Sequence, residues 1–186
     1  MKKILLFAAV LFTWAAVSAQ PNVGNEINYY GVDFSRTKVF GARESGWEFK
    51  TAFASINTLV ITEWPKYNPG RWLGKNIVAR DITPTSLANN AIEPGNVETF
   101  SSNYGLNDDD IAEMVAGYEI KETSGTGLVI VGTLLDKSIV AGGFVVVYFD
   151  VATRKLLYCM PITGKSGGLG LRNYWAGALY NALRKG

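Results

Sequence analysis

No histidine occurs anywhere in the chain. That removes the Ser-His-Asp and Cys-His routes to nucleophilic catalysis and the commonest side-chain ligand of first-row metals. Cysteine is nearly absent too. A lone Cys159 excludes an intramolecular disulfide and every zinc site built on several thiolates. It sits in the apolar run Leu156–Ile162 with no histidine to activate it, so it reads as an inert, buried packing group. The sequence points to no metal and no cofactor.

Long apolar runs are scarce, and the first one is an address. Lys2 and Lys3 precede the apolar stretch Ile4–Phe12, and Val17-Ser18-Ala19 supplies the small residues that signal peptidase reads. Residues 1–19 are therefore expected to be a signal peptide cut after Ala19, leaving residues 20–186 as one domain in the periplasm or outside the cell. Ile4 to Val17 is shorter than the roughly 20 residues a spanning helix needs, so no membrane span is expected after cleavage. No cysteine lies near the cut to carry a lipid. Lys2 and Lys3 also account for the whole formal charge of +2, so the acidic residues of the mature chain are matched by as many basic ones. A neutral domain without a basic run has no electrostatic footprint for nucleic acid.

Secondary structure is legible over most of the rest. Tyr29–Phe34 reads as a strand that Lys38–Phe40 extends or pairs with. Phe49, Phe53, Ile56, Leu59 and Val60 recur at helical spacing, which predicts a helix over Glu48–Glu63 capped by Ser45 and stopped by Pro65. Pro65, Pro69, Gly70 and Gly74 make Pro65–Lys75 a loop, and Asn76–Ile82 a strand after it. Thr83–Asn103 has no clear pattern. A second helix opens at Asn107–Asp110, its core positions Ile111, Met114, Val115 and Tyr118. Its three aspartates suit the positive helix end better than they suit calcium. Gly127–Leu135, Gly143–Val151 and Lys155–Ile162 read as three consecutive strands, the first two apolar enough to be buried on both faces. A final helix starts at Leu171, with Tyr174, Trp175, Ala178, Leu179, Ala182 and Leu183 on one face. The order β-α-β-α-β-β-β-α predicts an α/β fold with a mixed sheet and helices packed on it.

The run from Val145 to Gly186 is a strand, an Asp150–Thr153 hairpin turn, a second strand, then a helix opening on Leu171-Arg172 and holding Tyr180. It resembles the end of the N-terminal domain of the TolB family of periplasmic envelope proteins. The resemblance implies an α/β fold and an envelope setting. A glycine-rich loop precedes the helix here and no propeller follows, and no catalytic residue carries over. As a whole the chain looks like the small secreted proteins of Gram-negative bacteria.

Three constellations are candidates for function. Gly164–Gly170 lies between a strand and a helix, where backbone N–H groups can cradle an anion. Lys165, Ser166, Gly167, Gly168 and Arg172 are the candidate ligand-binding residues. Cys159 stands where a P-loop needs glycine, and no strand follows to complete a dinucleotide fold. Arg172 in the first turn is electrostatically unfavourable unless an anion offsets it. The competing explanation is that the glycines only let strand and helix pack closely. Trp64, Tyr67, Arg71 and Trp72, with Lys66, form an aromatic and basic segment that can anchor a protein or stack on a sugar, or fold back to close the core. Asp33, Glu63, Asp81, Asp136 and Asp150 are the carboxylates available to a histidine-free hydrolase, and no spacing pairs them. The leading expectation is a non-enzymatic envelope module that binds a protein or glycan partner. The alternatives are a binder of a small anion at the glycine loop and a carboxylate-dependent hydrolase.

Overall fold

The computed structural model describes residues 23–185. The expected signal peptide and its cut lie outside the described residues. Strand β1 (Glu26–Asp33) is followed by the short β2 (Lys38–Phe40) and the long helix α1 (Gly46–Thr62). Two short helices, α2 (Trp64–Tyr67) and α3 (Pro69–Leu73), lead into β3 (Asn76–Arg80). Helix α4 (Thr83–Asn90), one 3-10 turn at Pro94–Asn96 and the two-residue β4 (Glu98–Thr99) come next. Helix α5 (Asp108–Ala116) precedes β5 (Thr126–Asp136), β6 (Ala141–Asp150), β7 (Leu156–Lys165) and α6 (Leu171–Leu183).

All seven strands belong to one mixed sheet, as the element order implies. Its centre is β5. Along one edge β5 runs parallel to β1 and then to β2, with Asp33 opposite Val131 and Lys38 opposite Leu134. Along the other edge it is antiparallel to β6, which β7 flanks in turn. The two apolar runs are thus interior strands, covered on both faces. Leu128, Ile130, Phe144 and Val146 join a core under α1 and α6, while Val129, Val131, Val145 and Val147 join one under α5. The period of two along each strand hands alternate residues to opposite cores.

Helix starts follow local chemistry. Ser45 caps α1 and Glu48 reaches back to the Ser45 amide, a complete capping box. Asn107 and Asp110 form another on α5. The Pro65–Lys75 expectation needs correction: Pro65 and Pro69 do not make a loop but open α2 and α3, because proline suits the first turn of a helix. The segment without a clear pattern holds α4, whose role is polar. Strand β3 pairs with β1 only as far as Tyr29–Arg80. Beyond that point side chains replace the missing strand. Asn57 Oδ1 accepts from the Val32 amide, Thr85 Oγ1 donates to the Tyr30 carbonyl, and Asn89 bonds both the Phe34 amide and the Val32 carbonyl. Gly31, at φ +88°, makes room there, since a Cβ would meet Asn57 Oδ1 at 2.5 Å. Among the described residues no helix is long and apolar enough to cross a membrane.

Candidate functional site

The aromatic segment and the glycine loop, about 100 residues apart in sequence, meet on the face of the sheet that α1 and α6 cover. The ring of Tyr180 on α6 is the meeting point: Tyr67 packs edge-on against it at 6.1 Å and Trp72 at 6.2 Å. Between the α1–α2 corner and the start of α6 lies a groove of about 450 Å³. Its polar and charged lining is Glu63, Lys66, Arg172, Asn173 and Tyr180, with backbone from Gly167 and Gly168 and a floor of Leu59 and Tyr67.

The aromatic residues largely close the core. Tyr67 is buried, and Trp64 and Trp72 are half-buried against the main cluster. Their remaining faces are roofed by cations: Arg71 lies 4.9 Å and Arg184 5.9 Å from the Trp72 ring, and Arg80 lies 4.6 Å from Trp64. The surface therefore presents guanidinium groups rather than bare rings, so charge and not sugar stacking is its chemical character. Lys66 bridges the Tyr67 and Tyr180 rings at 4.8 and 5.7 Å and pairs with Glu63 at 3.6 Å. Partial burial pulls the Lys66 ammonium down, but Tyr67 and Glu63 together outweigh it, so its pKa lies above the ordinary lysine value.

The glycine-loop residues divide. Gly167, Gly168 and Arg172 line the groove. Lys165 and Ser166 do not: the Ser166 amide donates to the Val140 carbonyl, which ties it to the β5–β6 turn, and the Lys165 carbonyl accepts from Asn181. The glycines serve packing more than cradling. A Cβ on Gly164 would lie 1.9 Å from the Ala178 carbonyl oxygen, and one on Gly168 2.9 Å from that of Asn173. The Gly167 amide is already bonded to the Tyr174 carbonyl. What stays open is the helix start, where Gly170 provides no side-chain cap and Arg172 has no carboxylate partner among the described residues. Its guanidinium donates only to Asn173 Oδ1, at 3.0 Å.

Asn173, Gly177 and Tyr180 are the site residues that sequence reasoning missed. They share one α6 face away from the buried stripe at i, i+4 and i+7, so helical spacing was the signal that could have found them, whereas Arg172 reaches the groove from the first turn above the buried stripe.

The five carboxylates do not converge. Asp150 pairs in register with Thr126 and Asp136 with Ala141, so these two stand at opposite ends of the β5–β6 ladder. Both are turn residues, Asp136 accepting from Ser138 and Asp150 from Thr153. Asp33 alone enters a second crevice, of about 280 Å³, with Arg36, Glu113, Tyr118 and Glu119. There it is fully buried and accepts from Tyr118 Oη at 2.5 Å and from the Ser35 amide at 2.7 Å. Burial, then the Asp33 carboxylate, raise the Tyr118 hydroxyl pKa well above its ordinary value. Arg36 is taken by Glu113 at 2.7 Å and Asp110 at 3.4 Å. Arg36 and Glu113 are thus paired with each other, while Asp33 is held by hydrogen bonds from neutral donors. Cys159 is half-buried rather than buried, and burial, then Asp108, push its thiol up to about 11, far from a reactive range. Among the described residues no group of three or more histidine, cysteine or acidic side chains is placed to hold a metal.

No protein-family model, curated protein or solved structure matches the chain.

Proposed function

We propose that this is a non-enzymatic binding module of the cell envelope, and that its docking point is the Lys66–Arg172 groove, which takes an anionic group on a protein or glycan partner. The observation that carries the reading is that Lys66 and Tyr67 from one candidate segment and Gly167, Gly168 and Arg172 from the other line one groove, Trp64, Arg71 and Trp72 lying outside it, and that Arg172 has no carboxylate partner among the described residues. A cation in the first turn of a helix is disfavoured by the helix dipole, and a bound anion reverses the sign of that interaction. Local rules are broken where a site compensates them. The envelope setting rests on the signal-like leader and the resemblance to TolB-type modules.

Thermal melting tests the reading. Binding to the folded state alone raises stability by mass action. Phosphate, sulfate or a sugar acid should raise the melting temperature beyond matched chloride, and the rise should shrink in Arg172→Ala and Lys66→Ala. Lys165→Ala, outside the groove, should respond as wild type. Equal responses in all four proteins would remove the groove from the account.

The hydrolase reading has one foothold, the Asp33 crevice. Asp33 has no exposed surface, so it cannot exchange a proton with a ligand unless Tyr118 moves aside. That argues for binding over catalysis.

A further inference from the structure

The groove does not end at Arg172. On its far side lies a second, shallow and mainly apolar depression lined by Trp47, Glu48, Thr51, Ala52, Ser55, Leu171 and Arg172. Arg172 lines both, so the two are halves of one trough. One wall is an α1 stripe of Glu48, Ala52, Ser55 and Leu59 at three- and four-residue spacing, continued by the C-cap Glu63, with Trp47 and Thr51 on its rim. The other wall is the glycine loop and the first turn of α6. At 1.5 Å of rise per residue, the stripe from Glu48 to Glu63 is roughly 22 Å long. That length matches about seven residues of extended chain at ~3.4 Å each.

The two ends differ in chemistry. The polar end offers Lys66, Asn173 and Tyr180. At the apolar end Trp47 is 68% exposed; Leu169, 90% exposed, stands on the loop wall of the polar end beside Arg172. A large ring and a large aliphatic side chain left in water flanking one trough are the kind of anchor that partner surfaces bury. Charge decides the middle. Glu48 is engaged with Ser45 in the α1 cap and Glu63 with Lys66, which leaves Arg172 as the charge awaiting a counterpart. A free phosphate or a short sugar acid would fill the Arg172 position and leave the Trp47 end empty. Only a chain with both an acidic group and an apolar one uses the whole length.

We infer that the trough binds an extended peptide segment of a partner protein, an Asp or Glu side chain meeting Arg172 and a large apolar side chain lying over Trp47 and Leu171. The inference rests on the Lys66–Arg172 groove being the docking point, and names its occupant.

An arrayed library of random peptides, about seven residues long, probed with the purified mature protein, tests it. Peptides bound by wild type should be enriched in an acidic residue two to four positions, roughly, from an aromatic or aliphatic one. Arg172→Glu should abolish the acidic preference and Trp47→Ala the apolar one, each weakening the best peptides at least about fivefold. Both positions are exposed, so both variants should melt close to wild type. An apolar preference that survives Trp47→Ala undiminished, beside an acidic one lost in Arg172→Glu, would overturn the trough while leaving the anion site standing. No enrichment, or enrichment indifferent to Arg172→Glu, would overturn both. Displacement of the best peptides by oligogalacturonate at lower concentration than free peptide, indifferent to Trp47→Ala, would replace the peptide by an anionic glycan.

Discussion

Tyr118 and Asp33 show how a single buried pair holds two elements together. The phenol at the end of α5 reaches the carboxylate at the end of β1 across 2.5 Å, and neither group has water as an alternative. Tyr118→Phe removes one of the two protein donors to Asp33, an uncompensated loss that should cost ~1–3 kcal/mol. Urea titration of that variant should show a lower midpoint at unchanged slope. Gly164 is a stricter case, because the obstacle there is backbone: a methyl would sit 1.9 Å from the Ala178 carbonyl oxygen. Gly164→Ala should push α6 off β7 and cost about 3 kcal/mol. At Gly167 an added methyl would meet nothing within 4 Å, so Gly167→Ala should be nearly silent in the same titration.

Among the elements, α4 has the most unusual task. It lends Thr85 and Asn89 to an edge of β1 that β3 abandons, and α1 lends Asn57. Asn89→Ala would leave the Phe34 amide and Val32 carbonyl buried without partners, at ~1–3 kcal/mol for each. Hydrogen exchange should report it as faster exchange at Phe34, just past β1, before the amides of β1 itself. This task also explains why Thr83–Asn103 resists reading from sequence. An apolar stripe advertises a helix, whereas α4 is held by a threonine and two asparagines whose partners lie some 25 to 57 residues away. The helices α1, α5 and α6 and the strands β5 and β6 were legible because their burial is apolar and periodic. Helices α2 and α3 were hidden behind Pro65 and Pro69, which the same rules read as breakers or as first-turn residues. The site was half legible: its segments were visible as local compositional oddities, but their meeting at Tyr180 is a tertiary fact that no local window contains.

For the molecule as a whole, the tyrosines buried in the two cores on opposite faces of one sheet predict a response to alkali. Burial raises Tyr29, Tyr30 and Tyr118 above the ordinary tyrosine value, and burial, then Tyr158, push Tyr148 up to about 12. The unfolded chain gives up these protons near pH 10 while the folded one holds them, so above that pH the folded state binds more protons and stability falls as pH rises. It is fully present below about pH 10 and lost through the folded values above it. Denaturant midpoints should be level up to about pH 9.5 and drop steeply by about pH 11. A profile level to about pH 11 would mean that these phenols are not buried as described. Charge at the surface is organised on the same scale. The acidic residues Asp108, Asp109, Asp110 and Glu113 gather on α5, while Lys66, Arg71, Arg172 and Arg184 gather on the opposite face around α6. A chain whose charges balance once the expected leader is gone can still present one face to an acidic partner.

The most direct test of that claim is an amide NMR titration of residues 20–186 with sulfate against matched chloride. Saturable shifts are expected at Gly167, Gly168 and Leu171–Asn173, with smaller ones at Lys66 and Tyr67, all lost in Arg172→Ala. Shifts that scatter over the surface without saturating, or that persist unchanged in Arg172→Ala, would contradict it.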